Sequence, residues 1–361
     1  MVDLDALQAA GIADARARAA LLEYLDSLGF TAEEMVAAER HGRLFGLAGD
    51  ALQLPGRPAY SPNDAAELLG VPLGDVERAW VALGLNIAKP DEVTLSEGDV
   101  AVLRTWTDLK GYVGDDRALS LLRVVGATLS RLAEALSTVV RAGWPAIQLE
   151  HTHDELATAK AYREIAAFVP RTGEMIDVVL RHHLTSARTY FEGVITDTSA
   201  SVTCGVGFAD LSGFTALTQQ LTPVELSDLL VEFGGTVSDV VHADGGRVVK
   251  FIGDEVMWVT STPELLLKVA VDLVDHPQAQ QAGLQVRAGL GFGSVLAIGG
   301  DYFGTPVNLA ARLVGAAAPG QILAAADVRD ALPDWPAARL DPLALKGFDS
   351  PITAYDLHVS G

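Results

Sequence analysis

The stretch Val202-Thr-Cys-Gly-Val-Gly-Phe-Ala-Asp210-Leu-Ser-Gly-Phe-Thr215 reads as a strand that ends on a carboxylate. Val202, Cys204, Val206 and Phe208 alternate onto one face, the period of a β-strand. After Asp210 a serine and a glycine turn the chain toward a helix. Taken singly, Asp210 is better explained as a helix N-cap. A second carboxylate, Asp254, has a local reading of the same kind, and it is the Asp301–Arg312 stretch farther on that reverses the balance for both.

Downstream, Glu225 to about His242 is predicted helical through Leu226, Leu229, Leu230 and Phe233, and Asp244-Gly245-Gly246 ends it. Arg247-Val-Val-Lys250-Phe-Ile252 and Glu255-Val-Met-Trp-Val-Thr260 are two strand patterns joined at Gly253-Asp254, a hairpin signal. Asp254 then sits at a hairpin tip and Asp210 at a strand end. If these strands are neighbours in one sheet, both carboxylates reach the same edge. Such a pair suits two hard divalent cations, which complete their shells with water and substrate phosphates. Two ions so placed activate an attacking oxygen and stabilise a phosphate leaving group. The bland reading of Asp254 is a turn residue.

Farther on, Pro263 to Val274 is predicted helical, and Val286–Gly293 and Ser294–Gly300 read as two strands with a glycine turn between them. They lead into Asp301-Tyr-Phe-Gly-Thr-Pro-Val-Asn308-Leu-Ala-Ala-Arg312. Asn308 and Arg312 share a face if the segment after Pro306 is a helix, with Asp301 in the loop feeding it. An acid, an amide and a fixed cation at these spacings make a plausible nucleotide site. Leu345-Lys346-Gly347-Phe348 and a last strand, Ile352 to Leu357, close the chain. The order of elements predicts an α+β domain, with helices on a mixed sheet.

The first half is different in kind: a succession of helical patterns from Asp14 to about Phe191. Thr31-Ala-Glu-Glu34 and Ser61-Pro62-Asn-Asp64 are helix starts. Asp116 to about Arg141 carries leucine and valine at helical spacing until Trp144-Pro145. Ala157–Phe168 and Thr172–Phe191 come next, split at Pro170-Arg-Thr-Gly173. The helix pair from Ser61 to Trp80 resembles a helix-turn-helix, but its second helix offers only Glu77 and Arg78 with no basic cluster, so it reads as a structural hairpin. Five of the eight histidines lie in this half, which makes a pH-responsive domain conceivable. His151-Thr-His153 lacks the carboxylate spacing of a metal pair.

Composition narrows the partners. Of 361 residues, 26 are lysine or arginine and 47 are aspartate or glutamate, a formal net charge of −21 that repels nucleic acid. The lone cysteine, Cys204, permits no intrachain disulfide and fits a cytoplasmic setting. No signal pattern opens the chain, and no apolar run is long enough for a membrane span.

Taken together, Phe208–Thr215, Lys250-Phe-Ile-Gly-Asp254, Arg287-Ala-Gly-Leu, Asp301–Arg312 and Leu345-Lys346-Gly347 resemble the class III nucleotidyl cyclases in content, order and spacing. The resemblance implies a ferredoxin-like catalytic domain over 202–361, after a linker at 193–201 and an all-helical regulatory domain over 1–192. It implies an adenylyl cyclase that turns ATP into 3′,5′-cyclic AMP and pyrophosphate. Asp210 and Asp254, helped by the Leu211 carbonyl, would hold two magnesium or manganese ions. Lys250 and Asp301 would read adenine, Asn308 would position the ribose, and Arg312 would stabilise the transferring phosphoryl group. Arg287 and Lys346 match the positions that bind polyphosphate. In this family each site is shared between two catalytic domains, so a homodimer is implied. A nucleotide-sensing dimer without catalysis would be marked by loss of these residues, and all are present. The helical half resembles, more loosely, the regulatory domain of soluble actinobacterial adenylyl cyclases, with a proton or a lipid as the implied regulator.

Overall fold

In the computed structural model, the structure describes residues 2–192, 201–214, 218–219, 221–277 and 284–359. The chain divides into two compact units, Met1–His183 and Leu184–Gly361. Eight residues of the expected linker, 193–200, lie outside the described residues, as does Thr215.

The first unit is helical: α1 (Leu4–Ala10), α2 (Ala19–Ser27), α3 (Ala32–Arg40), α4 (Leu47–Gln53), α5 (Pro62–Leu69), α6 (Leu73–Ala82), α7 (Glu97–Val113), α8 (Asp115–Gly143), α9 (Leu149–Thr152), α10 (Glu155–Ala166) and α11 (Phe168–Glu192), which runs on past its end. The starts are set by caps. Thr31, Ser61 and Ser96 each accept from a backbone N–H three residues on, and the acid there returns the bond. The Ser96–Asp99 box opens α7, a helix that the sequence pattern did not announce. The expected break at Pro170–Gly173 is absent, because Pro170 falls in the first turn of α11, where no intrahelical N–H is needed. The helix-turn-helix-like pair is built into the core: Val76, Ala79 and Trp80 of α6 pack with Leu103, Trp106 and Leu119. His153 ends α9 in a left-handed conformation, φ 51°. Among the described residues no helix is long and apolar enough to cross a membrane.

In the second unit the described residues form an eight-stranded sheet with helices on both faces, the predicted α+β arrangement. The strands are β1 (Ser201–Ser212), β2 (Arg247–Ile252), β3 (Glu255–Thr260), β4 (Gln285–Ile298), β5 (Asp301–Phe303), β6 (Ile322–Ala325), β7 (Ala338–Arg339) and β8 (Ala354–Asp356), ordered β2-β3-β1-β4-β6-β8-β7 with β5 on β4. Between them lie α12 (Pro223–Ala243), α13 (Pro263–Val274), α14 (Thr305–Ala316) and α15 (Ala326–Ala331). Ala209, Leu211, Val256 and Trp258 point to one face, under Val237 and Val241 of α12 and Leu266 and Ala270 of α13. Cys204, Val206, Phe208, Met257 and Val259 point to the other, under Val307, Ala310 and Val314 of α14. The Cys204 thiol lies in this second core, and burial pushes it up to about 11, away from reactivity.

The expected turn at Gly293-Ser294 does not form. β4 runs unbroken from Gln285 to Ile298, because β1 offers it partners from Ser212 to Ser201. Gly293 continues the ladder at φ +148°, which a residue without a Cβ tolerates. The turn comes later, at Gly299-Gly300, and pairs Ile298 with Asp301. Along β4, Gly289 and Gly291 let α14 lie directly on the sheet. A Cβ at Gly289 would stand 2.3 Å from the Ala310 carbonyl oxygen, and one at Gly291 would stand 2.4 Å from that of Pro306.

Candidate active site

Three groups of polar side chains stand out in the second unit. The first is a row across three strands: Glu255 of β3 opposite Asp210 of β1, and Asp210 opposite Arg287 of β4. Paired residues share a face, so register alone sets the acids beside the guanidinium. Arg287 donates from Nε (2.9 Å) and Nη2 (2.5 Å) to Asp210 Oδ2, and from Nη1 to the Ala317 carbonyl (3.2 Å). Asp254 occupies the β2–β3 turn, where Gly253 takes φ +67°. Its carboxyl is pushed above the ordinary range, first by burial and then by neighbouring Asp210, with Arg287 pulling the other way. Glu255 is raised too, by burial and then by Asp210 and Asp254. Crowded acids of this kind are relieved by a cation.

The donor set is all oxygen, which fits a hard divalent ion. Among the described residues no three His, Cys, Asp or Glu side chains gather to cage a metal. Asp210 and Asp254 therefore suit ions that keep much of their shell for water and phosphate, as magnesium does. Leu211 turns its side chain into the opposite core, leaving its main chain at the strand end beside Asp210.

The crowding has a measurable consequence. Asp254 holds its proton more tightly folded than unfolded, so falling pH stabilises the fold between the raised value and the ordinary 3.8. Above that window the ionised carboxylate costs stability. Asp254→Asn is expected to stabilise the fold at pH 7 in chelator-treated protein by less than ~1 kcal/mol, because solvent screens the site, and so to raise Tm slightly. The gain should vanish by pH 3.5. Calorimetry at both pH values checks it, and an unchanged or lower Tm at pH 7 would contradict the crowding.

The second group is an ion pair between Lys250 of β2 and Asp301 of β5. Asp301 lies on a strand and not in a loop, because the β4–β5 hairpin turns immediately before it. Its Oδ1 accepts from the Tyr302 backbone N–H at 2.8 Å, which leaves Oδ2 for Lys250. Tyr302 is buried in the α14-side core, and its hydroxyl accepts from Arg247, whose guanidinium also lies 5.5 Å from the ring centre. Arg247 and Tyr302 thus steady the segment that carries Asp301.

The third group is on and beside α14. Pro306 stands in its first turn, as its fixed φ favours. Val307, Ala310 and Val314 pack down on the sheet, while Asn308 and Arg312 are exposed one turn apart. Arg312 Nε donates to the Lys346 carbonyl at 3.2 Å, and the Lys346 side chain is exposed. Among the described residues no hydrogen bond or ion pair joins one of the three groups to another.

Comparison with known proteins settles the family. Residues 197–359 match the adenylate and guanylate cyclase catalytic domain, and residues 3–187 match the adenylate cyclase regulatory domain. The chain belongs to the adenylate and guanylate cyclase family. A Mycobacterium tuberculosis protein described as uncharacterized is 68% identical to this cyclase over 357 residues, 99% of this chain and 94% of its own. A pH-sensitive adenylate cyclase of Mycobacterium tuberculosis is 32% identical, covering 89% of this chain and 81% of its own. A Streptomyces coelicolor adenylate cyclase is also 32% identical, over 76% and 72%. Among solved structures, the adenylyl cyclase CyaB from P. aeruginosa is 26% identical, covering 45% of this chain and 96% of its own, with a TM-score of 0.41.

The cyclase brings Asp210, Asp254 and Arg287 together, pairs Lys250 with Asp301, and sets Arg312 against the backbone of Lys346. Sequence reasoning missed Glu255, Arg247 and Tyr302. The signal for Glu255 was its place opposite the end of β1, and this needs the register that only the paired strands supply. Arg247 and Tyr302 meet across 55 positions of sequence, beyond any local pattern.

Proposed function

We propose that this cyclase converts ATP into 3′,5′-cyclic AMP and pyrophosphate at sites shared by two copies of the chain. The observation that carries the choice of ATP is the Lys250–Asp301 pair. An ammonium donates to the unprotonated N1 of adenine, and a carboxylate accepts from its 6-amino group. Guanine presents the reverse pattern at both positions. The name of the catalytic family covers both nucleotides, so base choice rests on this pair.

The 3′-hydroxyl of ATP attacks its own α-phosphorus and pyrophosphate leaves, so no protein nucleophile takes part. Asp210 and Asp254, with the Leu211 carbonyl, would hold magnesium or manganese ions. Bound there, the ions would supply an activated 3′-oxygen and charge relief on the leaving group. Asn308 orients the ribose, and Arg312 stabilises charge spreading over the transferring phosphoryl group. Arg287 and Lys346 hold the polyphosphate. Catalysis is then positioning and electrostatics.

The reading of two copies is supported by the absence, among the described residues, of any hydrogen bond or ion pair that joins the acids and Arg287 to the base reader or to Asn308 and Arg312 within one chain. A two-fold axis brings the acids of one copy to the base reader and α14 of its partner, and makes two equivalent sites. Lys250→Glu with Asp301→Cys is expected to shift the ATP-to-GTP ratio of kcat/KM by at least about 100-fold, since unpaired polar groups reject the wrong base strongly. Steady-state assays with both nucleotides check it, and an unchanged ratio would remove these residues from base reading.

The helical domain is proposed as the regulator, with the proton as its signal. Support comes from five histidines in this half and from the pH-sensitive relative. The full chain should show a steeper pH–activity profile between pH 5.5 and 8 than a chain beginning at Ser201. Superimposable profiles would end the proton reading.

A further inference from the structure

We propose that Arg287 is a built-in counter-ion for Asp210, which a divalent cation must displace and which then turns to the nucleotide's polyphosphate. This rests on the reading of Asp210 as a metal-holding residue. Arg287 is fixed opposite Asp210 by twelve consecutive register pairs between β1 and β4, so the two meet in every folded chain. Its Nε and Nη2 both converge on Asp210 Oδ2, while Nη1 is tied to the Ala317 carbonyl at 3.2 Å. The pair is largely shielded, with 28% of the Arg287 side chain and 15% of the Asp210 side chain accessible, so water screens it weakly. Glu255 and Asp254 crowd the same carboxylate, and among these four groups the guanidinium is the one positive charge.

A cation held by Asp210 and Asp254 would contest the oxygen that Arg287 occupies and would repel the guanidinium. The planar fork that matches a carboxylate also matches a phosphate. Incoming polyphosphate therefore gives Arg287 a second partner at the moment the first is taken. Cation and nucleotide are thereby coupled through one side chain, and the coupling is reciprocal: each tightens the other. Without metal, Asp210 stays paired with Arg287 until the cation and the nucleotide arrive.

The test is Mn2+ binding to the full-length chain without nucleotide, followed by electron paramagnetic resonance, with circular dichroism to verify folding. Arg287→Gln should bind Mn2+ about tenfold more tightly than wild type, within the usual range of coupling between sites. Arg287→Lys keeps the charge but loses the fork, and should also bind several-fold more tightly. If Arg287→Lys matches wild type while Arg287→Gln is tighter, general charge and not the ion pair sets the affinity, and the proposal fails. Equal or weaker binding by both variants overturns it as well, while loss of Mn2+ binding in Asp210→Asn would leave the metal reading intact. If Asp210→Asn binds Mn2+ as wild type does, the metal reading itself falls and takes this proposal with it; if no form binds Mn2+ without nucleotide, Arg287 is not what holds the cation off and the proposal alone fails.

Discussion

Asp210→Ala and Arg312→Ala are each expected to abolish cyclic AMP formation, by at least about 10³-fold, and an equimolar mixture of the two is expected to recover activity. The first change removes a carboxylate that no neighbour can replace, since Glu255 and Asp254 are already crowded and Arg287 would be left without its partner. The second removes a guanidinium exposed on α14, of the kind worth about 10³–10⁵ in phosphoryl transfer. Random exchange makes half the dimers mixed, and each mixed dimer holds one site free of both substitutions, so about a quarter of wild-type activity should return. Purified variants, mixed and assayed across concentrations, check this. A mixture as inactive as its parents would show that the site is not shared.

Gly289→Ala is expected to be strongly damaging for a one-carbon change on the catalytic sheet. The new methyl would lie 2.3 Å from both the Ala310 carbonyl oxygen and the Val314 nitrogen, atoms of the α14 backbone that no rotamer change can move. Overpacking commonly costs about 1–3 kcal/mol, and a backbone clash lies at or beyond the upper end. For a domain of this size Tm should fall by about 10 °C. Activity should fall with it, because α14 carries Asn308 and Arg312 and must lift from the sheet. Gly315→Ala in the same helix is the control: nothing lies within 4 Å of its new Cβ, and it should stabilise by about 0.5–1 kcal/mol. Thermal unfolding of both variants by circular dichroism checks the pair. Equal Tm values would mean that α14 does not rest on β4 as described.

Much of the catalytic half was legible because its signals are local. Gly253-Asp254 between two alternating runs defined the β2–β3 hairpin to the residue, and Pro263 to Val274 defined α13. The helix after Pro306 followed from that proline, and the four-residue spacing then fixed Asn308 and Arg312 on one face. The errors were also of one kind. Gly293 looked like a turn and Asp301 like a loop residue, because a glycine's local freedom does not say whether a neighbouring strand continues to offer hydrogen bonds. Pro170 looked like a break, because its distance from the helix start was unknown. β6, four residues of buried sheet, is too short for a periodicity to emerge.

The sequence by itself determined which residue types were available, and in what order: carboxylates at strand and hairpin ends, a lysine before one of them, an amide and a guanidinium a turn apart. Those are properties of neighbours along the chain, governed by periods of 2 and 3.6 residues and by turn chemistry. Only the tertiary structure decided which of them meet. Asp210 and Arg287 are 77 positions apart, and Lys250 and Asp301 are 51 apart. Each pairing depends on the register and packing of β1 through β5, where a slip of one residue would turn these side chains to the opposite face. Register is set by the burial of Val206, Phe208, Met257 and Val259 beneath α14, a collective energy that no single segment contains.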